Sequence, residues 1–581
     1  MSTFMADPLL QAARLKRKFV PADADFADPA SVRALYQKLA DLPIASADEL
    51  STFIEAMAEL EAAIDEHGSR LYVEKSCHTD DAFRRDAYLN HVRHIDPIVK
   101  ECSFGMKKRV LESPGLANLA GPNWAILRRN WAAEVALFRQ ENIPLLAELE
   151  ELTSGYDEIN GAMVVDFDGK QQTLQQLARV LEEQDRDRRE AAWRLAEQRR
   201  LDDADRMEEI YDQQLALRSK VAANAGLGNF RDWIWQAYRR FDYTPQHCHD
   251  FADAVEQTLV PLVRKAQHER RQALGLAALR PWDTAVDVHG RPPLRPFDPA
   301  DIPGFVARAQ SIFDRMSPEL GADFARLRLG FNLDLDSRPG KQPGGYQCSL
   351  EETGQPFIFM NAAGLHRDVD TLLHEAGHAF HFQASHREVT PAFVRMAPIE
   401  FCEVASMSME LLAHDFLDAY YPDALQLARA KRTHLEDVIK VLCWIATIDQ
   451  FQHWIYTNPG HTHAQRTACW LGLRKRFAGD VDYTGLEAQH ERMWVRQGHL
   501  WHNPFYYIEY GIAQLGSLQL WLASREDRPA ALAAYRKALA LGGSRPLPEL
   551  FAAAGLRFDF SSKAIEPLAA AVREELAALP A

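Results

Sequence analysis

Along most of the chain, apolar residues recur at spacings of three and four, with charged residues filling the positions between them. That period is the signature of amphipathic helices with one buried face. The stretch "SADELSTFIEAMAELEAAIDEHGSRLYVEK", residues 46–75, opens with Ser46 and Asp48 where helix-capping residues belong and then keeps the pattern for many turns. The same rhythm runs through "TLQQLARVLEEQDRDRREAAWRLAEQRR" (173–200), "HDFADAVEQTLVPLVRKAQHERRQAL" (249–274) and "LPELFAAAGL" (547–556). A mainly α protein is predicted.

Strand-like text is confined to two places. In "AMVVDFDGKQQTL", Asp168-Gly169 supplies the positive-φ turn of a short hairpin between Val164 and Thr173. Between Leu327 and Asn361 several short β-prone runs are separated by Gly and Pro, and this region ends just ahead of a histidine-rich helix. The Pro-rich segment from Arg280 to Pro299 reads as a connector. No internal repeat is visible, and a lobe boundary is placed near residue 165.

The chain has 581 residues, 47% of them hydrophobic and 25% charged, which suits a protein that folds in water. A formal charge of -16 argues against a nucleic-acid partner, because phosphate binding needs a surplus of Lys and Arg on one face. The basic run Arg14 to Lys18 is read as a solvated helix face. Seven scattered cysteines without a CxxC pair fit reduced thiols rather than a disulfide framework. No secretory signal is read at the start and no stretch is long and apolar enough for a membrane helix, so a cytoplasmic protein is expected.

The candidate chemistry sits in "TLLHEAGHAFHF", residues 371–382. On a helix, positions four apart are displaced by only about 40°, so His374 and His378 can offer imidazole nitrogens to one ion, while Glu375 lies about 100° round from His374. HExxH is a hydrolase element for that reason: two ligands share a face and a carboxylate beside them can take a proton from water. Chance alone would put the pattern into about six in a hundred chains of this length and histidine content, so context must add to it. The flanking apolar residues mark a helix with one buried side, and Gly377 leaves space on the opposite face.

A catalytic zinc site needs a third protein ligand and an open position. His381 is nearest in sequence, but three ligands on adjacent turns of one straight helix cannot surround an ion. A second predicted helix, "PIEFCEVASMSMELLAHDF", offers Glu400, Glu403 and Glu410, with Glu403 and Glu410 seven apart on one face. Spacing leaves the choice open. Elsewhere, adjacent side chains at His247 to His249 point apart, and His461 and His463 read as surface residues of a loop.

Several spaced motifs together resemble the thimet oligopeptidase and oligoendopeptidase F family of zinc metallopeptidases: "RFDYTP" (240–245), "GGYQCSLEETGQPFIFMN" (344–361), "DVDTLLHEAGHAFH" (368–381), Glu403 in "FCEVASMSMEL", and "HLWHNPFYYIEYGIAQLG" (499–516). The resemblance covers roughly residues 165 to 560. It implies two helical lobes flanking a deep substrate channel, with a small β-sheet next to the HExxH helix, an N-terminal lobe over 1–165 and a catalytic region over 166–581. It also implies one zinc ion per chain on His374, His378 and Glu403, with Glu375 as general base. His499, Tyr507 and Tyr510 match the residues that stabilise the oxyanion, with Tyr506 close behind and expected to touch substrate. The strand "PFIFMN", with Phe359, resembles the edge strand along which peptide is laid, and Gly344 and Gly345 allow close approach of its backbone. The implied activity is internal cleavage of short unstructured oligopeptides. The rival readings are a metallocarboxypeptidase of related fold and a non-catalytic peptide-binding protein.

Overall fold

A computed structural model describes residues 17–580 apart from Pro339 and Pro343; of the basic run, Arg14 to Lys16 lie outside the described residues. Arg17 is not a solvated charge but pairs with Glu352. The protein is mainly helical, with 70% of the described residues in helices and 4% in strands, so the strands must be explained individually. They form a two-stranded hairpin, β1 (Val164–Phe167) with β2 (Lys170–Thr173), and a three-stranded sheet of β3 (Leu333–Asp336), β4 (Tyr346–Leu350) and β5 (Gln355–Ala362).

Local chemistry accounts for the element boundaries. The helix Ala47–Cys77 starts where Ser46 accepts the backbone N–H of Glu49 and Glu49 reaches back to the N–H of Ser46. It buries Leu50, Phe53, Ile54, Met57 and Leu60 along one stripe. In the hairpin, Asp168 and Gly169 both take positive φ, 53° and 71°, as the two-residue turn requires. Two stretches that read as continuous helices are interrupted. Asp185 caps a new helix, Arg186–Asn224, after a 3₁₀ turn, and Pro261, which has no N–H to give, opens a second helix, Val260–Ala273, after Leu259. Leu327 to Leu329, expected in a β-prone run, finish the helix Pro318–Leu329.

By packing, the chain forms two compact units, each assembled from three stretches, a division different from a single cut near residue 165. The first comprises Met1–Ala136, Arg295–Ala430 and Gly516–Phe558; the second comprises Leu137–Leu294, Lys431–Leu515 and Asp559–Ala581.

Within the first unit, β5 is the middle strand, parallel to β3 (Leu333 opposite Ile358) and antiparallel to β4 (Gln347 opposite Ile358). Its residues Pro356 to Met360 are buried, as expected for a central strand covered on both faces. The expectation that "PFIFMN" is an edge strand is therefore corrected. Both of its main-chain edges are taken by neighbours, and the ring of Phe359, 0% exposed, stacks on Tyr346 rather than facing a ligand. The edges of the sheet are β3 and β4. From Ala362 the chain turns through Gly364 (φ 79°) into the helix His366–Glu388, and the Asp368 carboxylate accepts the N–H groups of Ala363 and Leu365 to fix that turn.

Within the second unit, the segment that carries "RFDYTP" is tied to the segment that carries "NPFYYIEY". Arg240 donates to Glu509 at 2.7 Å and to the carbonyl of Phe505 at 2.6 Å, and both charged side chains are almost completely buried. The paired charges bridge two parts of the chain that are far apart in sequence, and removing either would strand the other without water.

Candidate functional site

The helices His366–Glu388 and Ile399–Leu412 cross at a glycine. A Cβ added to Gly377 would stand 2.6 Å from the carbonyl oxygen of Ala405 and 2.6 Å from the Cα of Ser406, so the two backbones meet where no other side chain fits. That carbonyl also accepts the Tyr535 hydroxyl at 2.7 Å, which ties the second helix at the crossing. The crossing delivers Glu403 to the histidine pair. Glu403 Oε2 lies 3.4 Å from His374 Nε2 and 3.6 Å from His378 Nε2. An ion bound through bonds of about 2.0–2.1 Å at tetrahedral angles separates its ligand atoms by about 3.3–3.4 Å, so the three donors fit a metal with little adjustment.

Each donor is oriented by a second contact. His374 Nδ1 lies 2.6 Å from Glu410 Oε1, His378 is hydrogen-bonded to the carbonyl of Cys402, and Glu403 Oε2 accepts the Ser406 hydroxyl at 2.9 Å. These partners direct both Nε2 atoms at the carboxylate and fix which nitrogen is left for a metal. Of the three candidate glutamates, Glu403 joins the two histidines in a group of possible metal donors, Glu410 orients His374, and Glu400 is buried on the same helix outside the group. The roles of Glu410, Ser406 and the Cys402 carbonyl were not read from sequence. The seven-residue spacing of Glu403 and Glu410 was the one signal for the first of them.

The electrostatics follow from burial and neighbours. Burial opposes charge on both histidines; hydrogen bonds to Glu403 and Glu410 nevertheless hold His374 well above the ordinary imidazole range, whereas His378 falls to about 4. Burial would raise Glu403, yet His378 and His374 hold it down at about 2. Glu375 is pushed up to about 7, mainly by burial, against the pull of His374 and of a hydrogen bond from the Gln347 backbone N–H of β4. The site thus contains an ionised ligand beside a carboxyl poised to carry a proton near neutrality. His381, buried against Phe401 and lowered to about 3 by burial, stands outside the group.

Gly344 and Gly345 are exposed just before β4. Gly344 has φ 102°, which few other residues adopt, and its carbonyl accepts the Asn361 side-chain amide at 2.9 Å.

In the second unit, the rings of His499, Tyr506, Tyr507 and Tyr510 gather: His499 lies 5.7, 4.9 and 6.0 Å from the three tyrosine rings in turn, and Tyr506 lies 5.1 Å from Tyr510. The helix Tyr507–Glu526 places Tyr507 and Tyr510 one turn apart. The Tyr507 hydroxyl is held by Trp444 and Gln497, and Gln497 also contacts His499 Nδ1 at 3.1 Å. His463, expected as a surface histidine, is exposed and pairs with Asp212 at 2.6 Å. No helix among the described residues is long and apolar enough to cross a membrane.

The profile of peptidase family M3 matches residues 179–289 and 323–569, well over half of the chain. The oligoendopeptidase F homolog of Borreliella burgdorferi is 25% identical over 228 residues, 38% of this chain and 37% of that protein. Oligopeptidase PepF of Bacillus subtilis is 28% identical over 265 residues, 44% of this chain and 38% of that protein. The matched stretch therefore spans under two fifths of either relative. A solved structure of PZ peptidase A with inhibitor 2 superposes with a TM-score of 0.88 at 26% identity, covering 97% of this chain and 99% of that one.

Proposed function

The chain belongs to peptidase family M3, and from that membership we propose that it is a zinc-dependent endopeptidase acting on short, unstructured oligopeptides. The observation that carries the reading is the convergence of His374 Nε2, His378 Nε2 and Glu403 Oε2 beside a buried carboxyl, Glu375, raised to about 7.

Zinc held by His374, His378 and Glu403 would supply a Lewis acid that polarises a carbonyl oxygen and makes water more acidic. Glu375 takes the proton of the attacking water on its carboxylate and returns it to the leaving amine, and a pKa near neutrality suits both transfers. Glu410 and the Cys402 carbonyl keep the two imidazoles in the tautomer that presents Nε2. The substrate backbone pairs with β4, because β5 is occupied on both sides and the exposed Gly344 and Gly345 lead into β4. His499 and Tyr510 donate to the developing oxyanion. That assignment rests on the family resemblance, and Tyr507 serves more as a support since its own hydroxyl is already held.

The channel that the resemblance implies restricts substrates to flexible peptides. The absence of any disulfide among the seven cysteines supports action in a reducing compartment, the cytoplasm. The test is mass spectrometry of a peptide library blocked at both ends, with and without chelator, beside a stably folded protein. Internal cuts in peptides alone, abolished by chelator, are expected. Cleavage only of peptides with a free C-terminus would favour a carboxypeptidase, no cleavage at all a binding protein, and digestion of the folded protein would remove the size restriction.

A further inference from the structure

A second group of metal-ligating side chains lies in the second unit. Cys248, on the helix Pro245–Thr258, and Asp449 and His453, on the helix Ala424–Thr457, offer donor atoms that all lie within 4.8 Å of one another. Their exposures are 1%, 0% and 2%. Asp449 and His453 are four apart, so they share a helix face just as the two histidines of the first group do.

Three polar atoms of this group are poorly accounted for without a ligand. Asp449 Oδ1 and both ring nitrogens of His453 are buried and have no hydrogen-bond partner among the described residues. His453 Nε2 stands 3.4 Å from Asp449 Oδ2, near enough to attract but outside hydrogen-bond geometry. Around His453 the walls are aromatic, with the rings of His249, Phe505 and Trp235 at 4.8, 5.1 and 5.6 Å. Buried polar atoms are normally satisfied, and several orphans converging in one place ask for a common partner.

We propose that Cys248, Asp449 and His453 hold a second divalent transition-metal ion, zinc by preference, as an internal staple between these two helices. A thiolate and an imidazole select zinc over magnesium or calcium. Binding releases the Cys248 thiol proton to solvent and moves no electrons. The thiolate and carboxylate then cancel the two charges of the ion, so the buried assembly is neutral. Asp449, with its second oxygen, supplies the fourth donor that a closed structural zinc site needs. The site is separate from the HExxH group and does not depend on the proposed peptidase activity.

The experiment is a cobalt(II) titration of the metal-stripped full chain, followed by absorbance and by elemental analysis. Thiolate ligation gives a near-ultraviolet charge-transfer band that a site made of two imidazoles and a carboxylate cannot give. The expected result is two ions per chain with that band, one ion with the band intact in His378→Ala, and one ion without the band in Cys248→Ala. A single ion per chain with no thiolate band overturns the proposal, as does a band that survives Cys248→Ala. Should Cys248→Ala fail to fold, the parent and His378→Ala titrations decide alone: no thiolate band in them overturns the proposal.

Discussion

Two groups of side chains in this protein can each bring three metal donors within 4.8 Å of one another, and they are built in opposite ways. In the first, His374 and His378 keep 23% and 20% of their side chains exposed, and every donor is steered by a further contact, from Glu410, the Cys402 carbonyl or Ser406. In the second, Asp449 and His453 are sealed, and Oδ1 and both ring nitrogens lack such contacts. A site that must exchange water and substrate needs its geometry held by the protein, since the metal's outer face keeps changing. A site that never opens can let the metal itself set the geometry. Exposure and outer contacts thus separate a reactive centre from a structural one when the ligand types alone do not.

The largest expected effect breaks the comparison if it is absent. Glu375→Gln keeps the shape of the side chain and removes its ability to take a proton. Turnover should fall by about a hundred- to ten-thousandfold while metal content stays that of the parent. Near-parental turnover with full metal would leave the first group no more reactive than the second.

Next in size is Tyr510→Phe. A phenol that donates to the developing oxyanion in the transition state should cost about a hundred- to a thousandfold in kcat, with KM nearly unchanged. Tyr507→Phe should cost less, because its hydroxyl is engaged by Trp444 and Gln497. Steady-state kinetics on a blocked peptide, with thermal melting as a control for folding, reads the difference. Parental kcat in a stable Tyr510→Phe protein would reduce the aromatic cluster to packing.

Smaller again is Glu410→Gln, which weakens the orientation of His374 without removing a ligand. Metal affinity should drop about ten- to a hundredfold, whereas Glu403→Ala should lose the ion almost entirely. A competition titration with a chelator ranks the two. If Glu410→Ala loses the ion and Glu403→Ala keeps it, the ligand and the orienting residue have been exchanged.

The histidine pair and its neighbouring carboxyl could be read from spacing because helix geometry is local: four residues fix a shared face. The hairpin turn and the Ser46 cap were legible for the same reason. What the sequence left open depended on contacts between elements. Among Glu400, Glu403 and Glu410 the spacing was silent, because the choice is made by the crossing at Gly377, where the Ala405 carbonyl and the Ser406 backbone close in. The sequence suggests an edge strand at β5 because a buried central strand and an edge strand look alike as a short apolar run; only pairing with both β3 and β4 distinguishes them. The Cys248 group is not legible in the sequence because Cys248 lies some 200 positions from the other two, and Asp449 and His453 look like ordinary helix residues.

The smallest effect at neutral pH concerns His381, the third histidine of the motif helix and the nearest ligand candidate in sequence. It is 4% exposed, its Nε2 has no hydrogen-bond partner among the described residues, and burial lowers its pKa to about 3. It is neutral at pH 7.5 and points at Phe401, so His381→Leu should leave metal content unchanged and stability within about 1.5 kcal/mol of the parent. Acid should reveal it. A base whose folded pKa lies below its unfolded value of 6.5 takes up a proton only on unfolding, so the parent loses stability as pH falls from 6.5 towards about 3. The loss from this one residue approaches about 1.4 kcal/mol per pH unit inside that window, and His381→Leu should be spared it. Denaturant melts of both proteins at pH 7.5 and pH 5 give the difference directly. Equal acid sensitivity would show that His381 reaches solvent, and loss of the ion from His381→Leu would place a third ligand on the motif helix and undo the assignment of Glu403.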